Sequence, residues 1–296
     1  MCSDDTTLAQ WVALSLIPHL GSQTIARLLD HFDSLDAVLS ASAAELKTVP
    51  GIGPKLAAAI RAADVPATRA ALADWLAEGI AVVQRDQPDY PAVLRGLPDA
   101  PAVLFWRGTL EPQDARAIAI VGTRRPTLRA QQTAEALAAH FAGRGWTVVS
   151  GLAAGVDALV HAAALACGGR TLAVLGSGVR VVYPPANAPL ADRVLARGAL
   201  LSESHPDASP SASALVARNR IISGLSRAVI VVEAGPDSGS LHAARFARSQ
   251  GRPVFAVRCA APGNARLLAE GAHGLGSEGD GWGELEALLN EQSIND

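Results

Sequence analysis

Ile118-Ala119-Ile120-Val121-Gly122-Thr123-Arg124-Arg125 is the stretch on which the fold of this chain turns. Four apolar residues suited to a buried strand run straight into a glycine and two arginines, and a helical pattern follows near Ala130 to Gly143. The alternation continues downstream: strands at Thr147 to Ser150, Thr171 to Leu175, Ala199 to Ser202, Ala228 to Val232 and Pro253 to Val257. Between them lie helical runs near Val156 to Cys167, Pro189 to Arg197, Arg218 to Leu225 and Ser240 to Gln250. Such alternation requires parallel strands joined by right-handed crossovers, which predicts an α/β fold with a Rossmann-like, doubly wound, mainly parallel sheet. Unbroken apolar strands such as Ala228-Val229-Ile230-Val231-Val232 agree with a sheet covered on both faces.

Upstream the period changes. Leu8, Val12 and Leu16, then Ile25, Leu28 and Leu29, then Leu56, Ala59 and Ile60 keep helical spacing, with no strand pattern among them. Leu46 to Ile60 contains Pro50-Gly51-Ile52-Gly53-Pro54-Lys55, a tight glycine turn before a new helix, and resembles a helix-hairpin-helix; Ile17-Pro18-His19-Leu20-Gly21 is a weaker earlier copy. Either the glycines bring helix-start amides up to a phosphate, with Lys47 and Lys55 nearby, or they only cap an ordinary helical hairpin. The expected division is a small all-helical domain over residues 1–66, SAM-like or helix-hairpin-helix, and a Rossmann-like domain over 67–296. A Pro-rich connection, with Pro88, Pro91, Pro98 and Pro101, should be dominated by turns.

Composition narrows the function classes. Apolar types make up 49% and charged residues 18%, which excludes a largely disordered protein. The formal net charge is −3, so any contact with nucleic acid must come from local clustering of cations. Cys2, Cys167 and Cys259 lie far apart with no metal-ligand spacing, so neither a metal site nor a disulfide framework is expected. Asp4 and Asp5 stand where a secretory signal carries basic residues, and no apolar run is long enough for a membrane span. A cytoplasmic location without membrane attachment is the expectation.

In open parallel sheets ligands bind beyond the carboxyl ends of strands, so the loops there are the candidates. They hold Gly122, Thr123, Arg124 and Arg125; Ser150, Gly151 and Gly155; Gly176 and Gly178; and, after Glu233, the run Ser238-Gly239-Ser240. Glycines admit close approach and helix starts offer free amides, so such a rim suits an anion, although any one glycine is equally explained by a tight turn. No acidic residue lies between Ile118 and Gln132, or between Ala208 and Val232, the second stretch holding Arg218, Asn219, Arg220 and Arg227. Two Arg-rich, acid-free segments predict a local basic groove for consecutive phosphates. The alternative is that these arginines pair with Asp157, Glu203 or Glu233 and hold loops together, and Arg218-Asn219-Arg220 suits a mixed role.

Catalytic constellations are thin. Asp157 and His161 share a helix face, but Asp157 near a helix start is more often a cap or dipole partner. Ser238 is not in a nucleophile elbow, there is no phosphate-binding Gly-Lys-Ser/Thr, and Gly122-Thr123-Arg124 is not the dinucleotide fingerprint.

Together these strings resemble the DNA-processing protein A family, also called Smf. The resemblance runs from Tyr90-Pro91 through Val121-Gly122-Thr123-Arg124, Ser150-Gly151-Leu152-Ala153, Gly155-Val156-Asp157 with His161, Tyr183-Pro184, Ser202-Glu203, Arg218-Asn219-Arg220 and Ser238-Gly239-Ser240-Leu241. It implies a non-enzymatic, homodimeric protein that binds single-stranded DNA, protects incoming strands and loads the RecA recombinase onto them during natural transformation, with no cofactor. The implied binding groups are Arg124, Arg218, Arg220 and the backbone around Ser238 to Ser240. Departures are Arg129 in place of a usual glycine, His242-Ala243-Ala244 where a threonine is usual, and Arg258-Cys259-Ala260 where Pro-Gly is usual. The family's frequent winged helix has no counterpart after Gly281, where only a short helix is expected. The competing reading is a nucleotide-processing phosphoribohydrolase on a related sheet, for which Glu233 would have to supply the acid.

Overall fold

The structure, a computed structural model, describes residues 3–295. Six helices come first: α1 (Ser3–Ser15), α2 (Ser22–Phe32), α3 (Leu35–Ser40), α4 (Ala43–Leu46), α5 (Pro54–Arg61) and α6 (Val65–Ala77). A capping box between Ser42 and Glu45 starts α4, and Pro54 at the first turn starts α5. Between these two helices Gly51 takes φ +92°, a conformation glycine adopts without strain, so the hairpin turn read from the sequence is present. Leu14, Ile25, Leu28, Val38, Leu46 and Ile60 fill a core of their own.

Nine strands form one sheet. They are β1 (Ile80–Gln84), β2 (Val103–Gly108), β3 (Ala117–Val121), β4 (Thr147–Ser150), β5 (Thr171–Val174), β6 (Gly198–Ser202), β7 (Val229–Val231), β8 (Val254–Val257) and β9 (His273–Leu275). Their order is β1-β2-β6-β5-β4-β3-β7-β8-β9, and every neighbouring pair from β6 to β9 is parallel. The interleaved helices are α7 (Ala92–Arg95), α8 (Leu128–Ala142), α9 (Val156–Ala166), α10 (Ala188–Leu195), α11 (Ala212–Ala217), α12 (Asn219–Gly224), α13 (Ser240–Ser249), α14 (Pro262–Ala269) and α15 (Trp282–Asn295).

Period-two alternation sorts the strand side chains to two cores. Ile118, Ile120, Val148 and Ile230 meet α8, α9 and α15 through Leu137, Phe141, Val160 and Leu285. Ala119, Val121, Val149 and Val231 meet α12, α13 and α14 through Ile221, Leu241 and Leu267. Each fully buried Leu, Ile or Phe here contributes roughly 1.5–3 kcal/mol relative to exposure. The doubly wound, mainly parallel sheet expected from the sequence is therefore the one observed.

The Pro-rich connection is dominated by turns as expected, but it joins two strands the sequence did not show: β1 before it and β2 after it pair antiparallel with each other, and β2 pairs antiparallel with β6. Prolines flank these strands rather than interrupt them, and the Tyr90 hydroxyl donates to the Pro101 carbonyl at 2.8 Å to close the intervening loop. Ala9 and Val12 of α1 join Leu72 and Trp75 of α6 over Val103 and Phe105 of β2. Helix α6 spans the expected 66/67 boundary, and α1 packs on the sheet edge as well as on the helical core. Among the described residues no helix is long and apolar enough to cross a membrane.

Candidate nucleic-acid interface

Winding proceeds outward from β3 in both directions, through β4, β5 and β6 one way and β7, β8 and β9 the other. Strands β3 and β7 are therefore the switch point, where diverging loops leave a crevice at the carboxyl edge of the sheet. A cavity of about 600 Å³ lies there, walled by the loops after β3, β4 and β7 and by α11 and the start of α12.

Thr123 ties these loops together. Its amide donates to the Glu233 carbonyl at 2.7 Å, and its carbonyl accepts from the Val156 amide at 3.1 Å. With the backbone so fixed, Arg124 lines the cavity and the next residue, Arg125, follows it on the surface; both are exposed, and neither forms an ion pair among the described residues. Glu233 is engaged elsewhere: its Oε2 accepts from the Thr127 amide and the Thr127 hydroxyl, each at 2.9 Å, while Thr127 caps α8.

Arg218 lies deeper. Its side chain is 8% exposed, Nη1 donates to the Val174 carbonyl at 2.7 Å, and Nη2 stands 3.5 Å from Asp157 Oδ2. Burial lowers its pKa, Asp157 opposes that, and the positive charge of Arg124 lowers it further. The crevice thus holds two guanidiniums, the tied carboxylate of Asp157 and, on the loop after β7, the carboxylate of Asp237, so the side on which Arg124 stands is the one that favours an anion. The guanidinium fills the space over Gly151, where an added Cβ would lie 1.3 Å from Nη1.

The remaining glycines of the rim admit neighbouring chain. A Cβ on Gly122 would meet Val156 at 2.6 Å, one on Gly176 would meet Leu215 at 2.8 Å, and one on Gly178 would meet the His205 and Pro206 carbonyls at 2.1 Å. Gly155 takes φ +80° against the Thr123 carbonyl. Ser150 is buried and donates to the Ile120 carbonyl at 2.7 Å, joining β4 to β3. On the far wall the Asn219 amide donates to the Gly239 carbonyl at 3.3 Å, and the Ser238 and Ser240 hydroxyls lie 2.8 Å apart. Helix α13 starts here with no side-chain cap, leaving its positive end toward the crevice.

Arg220 stands apart from this group. Its guanidinium makes a two-pronged contact with Glu203 at 2.5 and 2.6 Å and donates to the Asp99 carbonyl at 2.9 Å, lining a different cavity beside α2. The pairings Arg218–Asp157 and Arg220–Glu203 are both among the alternatives weighed from the sequence. The apolar wall of Ala212, Leu215 and Val216 was not anticipated; its only trace is three apolar residues at helical spacing just ahead of Arg218.

His161 lies behind Arg218, fully buried. The Thr171 hydroxyl donates to the Val148 carbonyl at 2.7 Å, so at 2.7 Å from the same oxygen His161 Nδ1 must be the donor, and its Nε2 has no partner. Burial, then Arg218, pushes its pKa from 6.5 down to about 3. Below pH 6.5 the unfolded chain binds a proton that the folded chain refuses, so stability is lost as pH falls from 6.5 toward 3. At pH 5 that loss is about 2 kcal/mol. Urea midpoints at pH 7.5 and 5 should fall further apart for the parent than for His161→Gln; equal gaps would refute the neutral, buried assignment.

Comparison with known proteins places this geometry. The family model described as DNA recombination-mediator protein A matches residues 81–285, and a helix-hairpin-helix motif matches residues 10–63. Protein Smf of Synechocystis sp. is 37% identical over 84% of this chain, and the match spans 64% of that relative's length. The X-ray structure of DNA processing protein A from Streptococcus pneumoniae superposes with a TM-score of 0.78 at 31% identity, covering 93% of this chain and 95% of that one. DNA processing protein A from Helicobacter pylori, whose structure was described for its single-stranded DNA binding mode, gives 0.61 at 31% identity over 66% of this chain and 90% of that one. A switch-point crevice with outward arginines, on a sheet that follows an amino-terminal helix-hairpin-helix, thus places the chain in the DNA recombination-mediator protein A family, also known as DNA-processing protein A or Smf.

Proposed function

We propose that the chain binds single-stranded DNA along the carboxyl edge of its sheet, protects incoming strands during natural transformation, and presents them to the RecA recombinase. The observation that carries this reading is that Arg124 and Arg125 are exposed at the switch point with no ion pair among the described residues, while Asp157 and Glu233 are already engaged and Asp237 stands across the crevice on the loop after β7. The single-stranded DNA binding described for the Helicobacter pylori protein supports it. Within the proposed binding set, Gly122, Thr123, Arg124, Gly151, Gly155, Asn219, Ser238, Gly239 and Ser240 form or support the crevice, and Arg218 sets its charge from below. Contacts to phosphates carry no sequence information, so base preference should be weak.

The cytoplasm is the proposed location, and a homodimer the proposed unit. Two tracks on one dimer make the second contact with a strand intramolecular, which raises avidity by roughly 100-fold or more without a new contact type. Light scattering on the full chain tests the dimer, because cutting at residue 67 would strip α1 from the α6 and β2 side chains it covers. Fluorescence anisotropy with labelled single- and double-stranded oligonucleotides tests the binding. Single strands should bind tighter, with affinity falling steeply as salt rises. Equal affinity for duplex, or no salt dependence, would overturn the reading. RecA assembly on strands coated by a single-strand binding protein should speed up in its presence, and an unchanged lag would remove the loading role while leaving DNA binding in place.

A further inference from the structure

The crevice continues past the loop after β7. Pro236, Asp237 and Ser238 line it on one side and a second cavity of about 210 Å³ on the other, between α13 and α14. Charge in this second cavity is unevenly partnered. Arg266 and Arg248 both pair with Glu270, at 2.7 and 2.6 Å, and Asp237 adds its negative charge beside Arg266. Arg245 has no carboxylate partner among the described residues; its Nη2 instead lies within hydrogen-bond distance of His242 Nδ1, one turn earlier on α13. Nδ1 therefore accepts a hydrogen bond from the guanidinium and carries no proton of its own, in keeping with a pKa lowered by partial burial and then by Arg245. A cation whose one side-chain partner is itself a base, on an open wall, lacks an anion.

We propose that Arg245 and His242 form a further phosphate subsite, one that carries the DNA track over the 235–240 loop to the outer side of α13, and that filling it protonates His242. The proposal rests on the binding reading above. A phosphate oxygen would take the Arg245 donor, which frees His242 Nδ1; a proton from solvent then binds there and donates to the same phosphate. The groups facing the ring set the sign: Arg245 on its own helix opposes protonation, Arg266 on α14, which shares Glu270 with Arg248, opposes it more weakly, and Asp237 on the loop favours it. The phosphate adds a negative charge to the second side of this balance.

The test is anisotropy titration of labelled oligothymidylates about 6, 12 and 20 nucleotides long against the parent, Arg245→Gln, His242→Gln and Arg124→Ala. Arg245 is exposed, so the fold should be kept, which circular dichroism checks. Arg245→Gln should weaken the two longer strands about five-fold, spare the shortest, and reduce the salt slope by about 0.7. For the parent, affinity for the longest strand should rise as pH falls from about 8 to 6, and His242→Gln should flatten that rise. If Arg245→Gln matches the parent at every length while Arg124→Ala has lost affinity, the subsite is refuted and the main track stands. Equal loss at all lengths would place Arg245 inside the main track and also refute the extension. If Arg124→Ala also matches the parent, the binding reading falls and the subsite falls with it.

Discussion

Arg218→Met should cost about 3–5 kcal/mol of folding stability, because it leaves a buried carboxylate without its cation. Asp157 is 7% exposed at its side chain, and its other polar contact is a long 3.4 Å bond from the Ala153 amide. The same substitution strips a donor from the carbonyls of Val174 and Leu215. In a domain of this size the melting temperature should fall by roughly 10 °C. Arg218→Met combined with Asp157→Leu should recover a good part of the loss, since both charges then escape the cost of burial. Thermal and urea melts check this; a single-variant loss below about 1 kcal/mol would mean that the pair is not buried in solution.

The second large effect is on binding alone. Arg124 and Arg125 are exposed and form no ion pair among the described residues, so replacing both by alanine should leave the melting temperature within a degree or two of the parent's. Affinity for an unstructured single strand should fall roughly 30- to 100-fold at low salt, and the salt slope should flatten by about 1.4, two phosphate contacts' worth. Arg220→Ala should show the opposite pattern, with stability lost through the stranded Glu203 and affinity little changed. A double variant that binds like the parent at low and high salt would remove these arginines from the track.

Strands β3 to β8 were legible because they are short apolar runs, as at Ile118 to Val121 and Ala228 to Val232, whereas the parallel edge strand β9, His273-Gly274-Leu275, is too short and too polar to signal a strand and was missed. Strands β1 and β2 were not legible either, because Gln87-Pro88-Asp89-Tyr90-Pro91 and Leu97-Pro98 carry turn chemistry strong enough to mask two short strands on either side. The candidate site was legible as a set of loops but not as an electrostatic arrangement. An acid-free stretch counts charges along the chain, whereas Arg218 meets an acid 61 positions earlier and Arg220 one 17 positions earlier. Arg124 and Arg125 differ from those two in exposure and in having no carboxylate partner among the described residues, and both differences depend on how the chain is folded around them. The glycines were ambiguous for the same reason: Gly122, Gly155 and Gly176 answer to Val156, Thr123 and Leu215, contacts that exist only once the loops are assembled.

The antiparallel edge has a consequence for how the protein is made. Strand β2 is complete at Gly108, but its inner partner β6 begins about 90 residues later. At bacterial-like synthesis speeds of about 5–20 residues per second, the β1–β2 ribbon waits roughly 5–20 s with one edge unpaired. Throughout that interval Val103 and Phe105 have α1 and α6 to cover them on one face, whereas Leu104 on the other face has Tyr90 and Leu94 but still lacks Ile221 and Leu225 of the core it joins. An emerging chain therefore carries an unpaired ribbon edge until β6 is made, so slowing translation between β2 and β6 should lower the folded yield.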